Sequence, residues 1–264
     1  MEELGNKLTL KERQQESLKI LIDVAKFCDA NNISYFLGCG TLLGAIRHKG
    51  FIPWDDDIDI LMFRDDYRRF EDIYNSDDFI LQKADEGRIC YDKVYNPKTV
   101  EYEKDVDYKK NKPIGIAIDI FPLDGIVNDH KIIGKLYKKE CFLEMLLRLS
   151  NQPLFLRKNP LKCANRLIPR AIGSKNIVKM IQKNQQVYTI ADTNYVVRMK
   201  RSNNGFTGAL PLDVYKQIKV TFEGYEFYAP EKYDIWLKSF FGDYMKLPPK
   251  EKQIPHERDC YYIN

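Results

Sequence analysis

Two apolar runs in this chain are interrupted by aspartate. The first is Asp57-Ile58-Asp59-Ile60 and the second is Ile114-Gly-Ile-Ala-Ile-Asp119-Ile-Phe121. Side chains of a strand alternate between faces, so Asp57 and Asp59 project one way while Ile58 and Ile60 enter a core. Asp119 likewise breaks a run otherwise suited to a buried strand. Like charges on one face repel, and a buried carboxylate without a partner costs several kcal/mol. The fold must therefore bring a cation to these aspartates. Hard oxygen donors favour Mg²⁺ or Mn²⁺ over zinc or copper, so Asp57, Asp59 and Asp119 are expected to share a divalent-metal site. Asp55 and Asp56, beside Pro53, read equally well as turn or cap residues.

Upstream, Gly40-Thr41 precedes Leu42-Leu43-Gly44-Ala45-Ile46-Arg47. The expected local structure is a short helix capped by Thr41, whose first amides form an anion site that Gly40 lets a phosphate approach. Arg47, His48 and Lys49 follow, between this turn and the carboxylates, placed to bind a pyrophosphate or the acceptor. Lys93, in Cys-Tyr-Asp-Lys-Val-Tyr, reads as a strand residue projecting either into the cleft or to solvent. Gly-Thr, then Asp-x-Asp on a strand, then a third strand aspartate resembles the nucleotidyltransferase superfold, the polymerase-beta-like fold. The resemblance implies that Gly40 and Thr41 hold nucleotide phosphates and that the three carboxylates hold metal.

Within that superfold, the run Leu43-Gly-Ala-Ile-Arg-His-Lys-Gly-Phe-Ile-Pro-Trp-Asp-Asp-Asp-Ile-Asp-Ile60 resembles the signature of the LicD family of phosphocholine transferases, related to fukutin and fukutin-related protein. Thr221-Phe-Glu-Gly-Tyr-Glu-Phe-Tyr-Ala-Pro230, Tyr233-Asp-Ile-Trp-Leu, Phe241-Gly-Asp-Tyr-Met-Lys-Leu-Pro-Pro249 and His256 are also similar to that family. The resemblance implies transfer of phosphocholine from CDP-choline to a sugar hydroxyl of a cell-surface glycan precursor, teichoic-acid-like or lipopolysaccharide, with release of CMP. It further implies an acceptor carried on a polyprenyl lipid. Asp57 and Asp59 would hold Mg²⁺, and Asp119 would complete the metal site or take the acceptor's proton. Choline is a permanent cation that aromatic faces bind, and Trp54, Tyr35 and Tyr95 are the candidates for its cage. His256 matches the family's closing histidine and either orients the acceptor or packs. A polyol-phosphate or nucleotidyl transferase fits the same carboxylates, whereas a non-catalytic scaffold would be expected to have lost them.

The rest of the sequence fits a soluble α/β enzyme. Thr9 and Glu12 form a capping box, followed by Leu18, Leu21, Ile22 and Ala25 on one helical face. Strands are expected over 33–37, 58–63, 79–81, 89–94 and 99–102, with a helix over 65–74. They give an α/β nucleotidyltransferase core with a mixed sheet over 1–128, a basic helical insertion over 129–190, and a C-terminal part over 191–264 that completes the core. The six cysteines include no Cys-x-x-Cys pair, so packed, reduced thiols are expected rather than disulfides or a zinc site. No apolar run is long enough to span a bilayer, and the N-terminus lacks a signal-peptide layout, which suggests the cytoplasm.

Charge is distributed unevenly. From Lys131 to Lys183 there are thirteen Lys or Arg against Glu140 and Glu144, a net +11, while the remainder carries 29 basic and 36 acidic residues. Ile132, Ile133, Leu136, Leu143, Leu146 and Leu147 recur in this segment at helical spacing, and Leu154-Phe155-Leu156 adjoins Arg157-Lys158. The segment reads either as a surface that lies on anionic lipid or as a helical lid with a solvated basic face. Nucleic acid is not expected as a partner, because no RNA-binding module accompanies the charge.

Overall fold

The computed structural model describes residues 4–84, 86, 89–103, 106–154, 164–199, 209–255 and 258–263. Strand β1 (Leu4–Lys7) leads into helix α1 (Leu10–Ala30), which opens on the expected capping box: Thr9 accepts from the Glu12 amide, and the Glu12 carboxylate accepts from the Thr9 amide. Next come β2 (Phe36–Leu37), α2 (Cys39–Arg47), β3 (Asp59–Phe63), α3 (Arg64–Ile73), β4 (Ile80–Gln82), β5 (Asp92–Tyr95), β6 (Thr99–Tyr102) and the long β7 (Ala117–Gly125). The main sheet runs β2-β3-β7-β5-β4. Its centre, β3 beside β7, is parallel and its other pairings are antiparallel, so the sheet is mixed.

Alternation in β3, β7 and β5 sorts residues between two faces. Ile60, Met62, Ile118, Ile120 and Val94 are fully buried, in one core with Ile20, Leu21 and Val24 of α1 and Tyr67 and Phe70 of α3. Burial of each such aliphatic side chain contributes about 1.5–3 kcal/mol, so this face fixes the strand register. Asp59, Asp119 and Lys93 are thereby turned to the opposite face.

Beyond β7 the chain is helical. Asp129 caps α4 (His130–Asn151) through the amides of Lys131 and Ile132, and α5 (Leu167–Ile172) and α6 (Ser174–Gln185) pack against α4. Leu143 and Leu147 meet Ile177, Val178 and Ile181 in a second core, and Ile133 enters a third with Ile126, Val197 and Met199. Part of the apolar stripe considered for lipid contact is therefore internal, while Lys131, Lys135, Lys138 and Lys139 are exposed. Arg166 is buried on Gln152 and the Leu154 carbonyl, and Arg170 pairs with Asp107 at 3.2 Å, so these two arginines are structural. The stretch Phe155-Leu156-Arg157-Lys158 lies outside the described residues.

A short helix α7 (Ile190–Thr193) leads to β8 (Tyr195–Val197), which pairs with the end of β7 and with β9 (Leu210–Pro211). The hairpin β10 (Gln217–Phe222) and β11 (Tyr225–Pro230) turns through Glu223 and Gly224, both at positive φ as such a two-residue turn requires. Helix α8 (Tyr233–Phe241) follows, and β12 (Asp259–Ile263) returns between β1 and β6. Among the described residues Cys28, Cys39, Cys90, Cys141 and Cys260 are free thiols, all buried except the half-buried Cys141.

Candidate active site

The register of the sheet places three charges in one row. Asp59 of β3 stands beside Asp119 of β7, and Asp119 faces Lys93 of β5. Directly opposed residues share a face, so two carboxylates and one ammonium look the same way across adjacent strands. Lys93 Nζ lies 2.8 Å from Asp119 Oδ1. Burial works against the Lys93 charge, but Asp119, with Glu103 and Glu101, outweighs it and holds the ammonium above its ordinary range. Of the two readings of Lys93, the structure places it in the cleft.

The first turn of α2 is tied to this row by hydrogen bonds. The Gly38 amide donates to the Asp59 carbonyl at 2.9 Å, and the Asp59 amide donates to Thr41 Oγ1 at 2.8 Å. Thr41 is therefore not the cap expected from sequence. The helix starts at Cys39, because Cys39 takes a positive φ of 45° that places Gly38 at the N-cap, and the Thr41 hydroxyl is turned inward to hold the aspartate strand. A Cβ on Gly40 would come 3.0 Å from Asp55 Oδ2, so a side-chain anion already lies beside the glycine expected to receive a phosphate.

The acidic run divides its work. Asp55 closes its own turn, its Oδ1 accepting from the Asp57 amide at 3.3 Å. Asp56 points into the core, where Arg13 Nε meets it at 2.6 Å with both side chains almost wholly buried. Asp57 stands at the mouth and ion-pairs with Arg258, which also reaches Glu101 at 2.9 Å. Burial opposes the Arg258 charge, but Asp57, Glu101 and Asp56 together raise it. Asp57, Lys93, Glu101, Asp119 and Arg258 line one narrow cleft.

The carboxylates here suit a divalent cation: Asp119 lines the cleft, and Asp59 stands beside it in the register of the sheet. Asp57 is drawn aside by Arg258. Among the described residues no three acidic, histidine or cysteine side chains are grouped closely enough to hold a metal as they stand. Lys93 and Arg258 provide positive charge beside these carboxylates.

The remaining expected residues separate. Arg47 donates to the Tyr244 carbonyl at 2.7 Å and lies with His48 at the far end of α2. That helix has nine residues, which places them about 10 Å along its axis from its first turn. Exposed Lys49 has its carbonyl taken by the Glu223 amide at 3.0 Å. Tyr35 is only 1 % exposed and packs edge-on against Tyr228, so it is a core residue and not part of a choline cage. Trp54 meets the His48 ring edge-on, whereas Tyr95 lies on the site face of β5, opposite Ala117. These aromatics do not converge on one place. His256 lies outside the described residues.

Three residues at the site were not anticipated. The Tyr91 ring packs at 4.4 Å, tilted, on Phe121, and burial, then Asp119, Cys90 and Asp59, keep its phenol protonated well above the usual range. Arg258, immediately before β12, and Glu101 of β6 arrive from segments distant in sequence. The apolar alternation that exposes Lys93 applies equally to Tyr91, and that was the available signal.

The chain is similar to known proteins. The family model described as LicD/FKTN/FKRP, nucleotidyltransferase domain, matches residues 32–145, which span Asp57, Asp59, Lys93 and Asp119. Over 97 % of its length the chain is 35 % identical to the lipopolysaccharide cholinephosphotransferase LicD of Haemophilus influenzae, covering 99 % of that protein. The ribitol 5-phosphate transferase FKRP of Homo sapiens is 32 % identical over 82 residues, which are 26 % of this chain and 17 % of that protein.

Proposed function

The chain belongs to the LicD family, and on that premise we propose that it transfers phosphocholine from CDP-choline to a sugar hydroxyl of a glycan precursor, releasing CMP. The observation that carries the reading is the in-register row Asp59, Asp119 and Lys93, in a chain similar end to end to a cholinephosphotransferase. We read the mixed sheet, with α2 leading into the aspartate strand, as the nucleotidyltransferase superfold.

Asp59 and Asp119 would hold Mg²⁺ or Mn²⁺, which when bound neutralises the diphosphate and the departing CMP. The acceptor oxygen bonds to the choline-bearing phosphorus, the bond from that phosphorus to the CMP oxygen breaks, and the hydroxyl proton passes to a carboxylate, a role open to Asp119 where it does not itself complete the metal site. The Lys93 ammonium adds fixed positive charge beside the transferring group. Tyr91 offers a phenol O–H to the same face. The acceptor would be carried on a polyprenyl lipid, reached from the membrane surface; among the described residues no helix is long and apolar enough to cross a membrane.

Calorimetry of the purified protein in Mg²⁺, with CDP-choline, CDP-ribitol and CTP, tests the donor. CDP-choline should bind most tightly and release CMP on turnover, with activity lost in EDTA. Equal or tighter binding of CDP-ribitol would replace this reading with the polyol-phosphate one, which the local likeness to FKRP also favours.

A further inference from the structure

We propose that Arg198 is the residue that anchors the donor's diphosphate. The inference rests on the reading that the donor is a nucleoside diphosphate ester. Arg198 directly follows β8, whose register pairs Val197 with Asp124 of β7. One residue further along, Arg198 comes opposite Leu123, on the face that carries Phe121 and Asp119. Its guanidinium carbon lies 4.9 Å from the Phe121 ring centroid and 5.2 Å from that of Phe240, so two rings hold it near the site face. The Phe121 ring in turn packs on Tyr91, whose phenol reaches Asp119. Tyr215, whose phenol feels the charge of Arg198, packs edge-on against Phe36 and Phe63.

Arg198 is only 8 % exposed, and its Nε is buried with no hydrogen-bond partner. The other buried arginines are satisfied: Arg13 by Asp56, Arg64 by Asp124, and Arg166 by Gln152 and the Leu154 carbonyl. No carboxylate pairs with Arg198 among the described residues, and 200–208, which follow it, contain no Asp or Glu. A buried arginine without an anion is costly to maintain, and its planar fork of donors matches a phosphate bidentately. The aromatic rings fix the plane of that fork and cannot accept its in-plane hydrogen bonds. With no acidic partner among the described residues, Arg198 suits an anion brought by the substrate, and on this face of the sheet that is the diphosphate.

The test compares wild type, Arg198→Met and Arg198→Lys by calorimetry in Mg²⁺, using CDP-choline and inorganic pyrophosphate, with melting temperature read alongside. Methionine fills the space between Phe121 and Phe240, so the proposal expects an unchanged or higher melting temperature with binding of both ligands at least thirtyfold weaker. Lysine should fall between the two. A folded Arg198→Met protein that binds both within twofold of wild type overturns the proposal. If that variant does not fold, Arg198→Lys decides: at least fivefold weaker pyrophosphate binding supports the anchor, and a smaller change overturns it. Wild-type binding of pyrophosphate that depends on Arg198, with no binding of CDP-choline, keeps the anchor and removes the choline reading. Wild-type protein that binds neither overturns both.

Discussion

Four aspartates within five positions of one another, Asp55, Asp56, Asp57 and Asp59, have different surroundings and so should fail differently when altered. Asp59 and Asp119 share a face of the sheet with only Lys93 in line, and neither supports the core. Asp59→Asn and Asp119→Asn should each lower turnover by about a hundredfold or more with the fold retained by circular dichroism, because charge is removed where the proposed phosphoryl transfer needs it, and Asp119→Asn, which takes away the partner of Lys93, should also lower the melting temperature. A wild-type rate for either variant would contradict the assignment. Asp56 instead balances Arg13 in the interior. Arg13→Met leaves a buried carboxylate without its main partner and should cost about 3–5 kcal/mol in urea unfolding, while the folded fraction turns over normally. The sequence marks all these residues as acidic and cannot rank them, since the partners Arg13, Lys93 and Arg258 come from three distant segments.

The elements were legible where burial alone decides them. The expected strand over 58–63 is β3 with one residue trimmed, and 99–102 is β6, because alternating or continuous apolar runs leave the chain little choice. The start of α2 was not legible, because it depends on Cys39 adopting a left-handed conformation that few non-glycine residues take. Thr41 looked like a cap and is instead the joint between α2 and β3. Thr41→Val should leave the Asp59 amide without its acceptor, costing about 1–3 kcal/mol and lowering turnover, while Thr41→Ser preserves both. A second joint, between the helices and the sheet, is set by pH. Glu140 of α4 accepts from Asn184 at 2.8 Å and Gln185 at 2.6 Å, and Gln185 accepts from Arg64. Burial, only partly offset by those donors, raises Glu140 from 4.5 to about 8. Between those values the folded protein keeps a proton that the unfolded chain releases, so the contribution of Glu140 to stability is full below about 4.5 and is lost as pH rises towards 8. Buried Asp92, also raised to about 8, acts in the same direction. Urea midpoints measured at pH 5, 6.5 and 8 should decline, and Glu140→Gln should make the decline shallower; an identical slope would place the titrating group elsewhere.

At the scale of the whole molecule the dominant property is the separation of charge, +11 between Lys131 and Lys183 against a net acidic remainder. Composition made this split visible but not its orientation. The stripe that looked ready to meet lipid lies partly within the packing of α4 on α6, and Arg166 and Arg170 are engaged internally. A membrane would therefore meet exposed lysines, Lys131, Lys135, Lys138, Lys139, Lys175 and Lys179, with Leu167 and Ile168 exposed on α5. Each lysine close to an anionic surface contributes on the order of 1 kcal/mol, screened within roughly 8 Å at physiological salt. Such attachment is additive, reversible and salt-sensitive, and suits an enzyme whose proposed acceptor is held on a lipid. Vesicles rich in phosphatidylglycerol should co-sediment the protein at low salt and release it at high salt. Replacing Lys131, Lys135, Lys138 and Lys139 by Glu should abolish sedimentation without weakening CDP-choline binding, because none of these residues lines the carboxylate cleft. Protein that stays in the supernatant with anionic vesicles at low salt would show the basic face to be a solvated cover, leaving the acceptor to reach the cleft unaided.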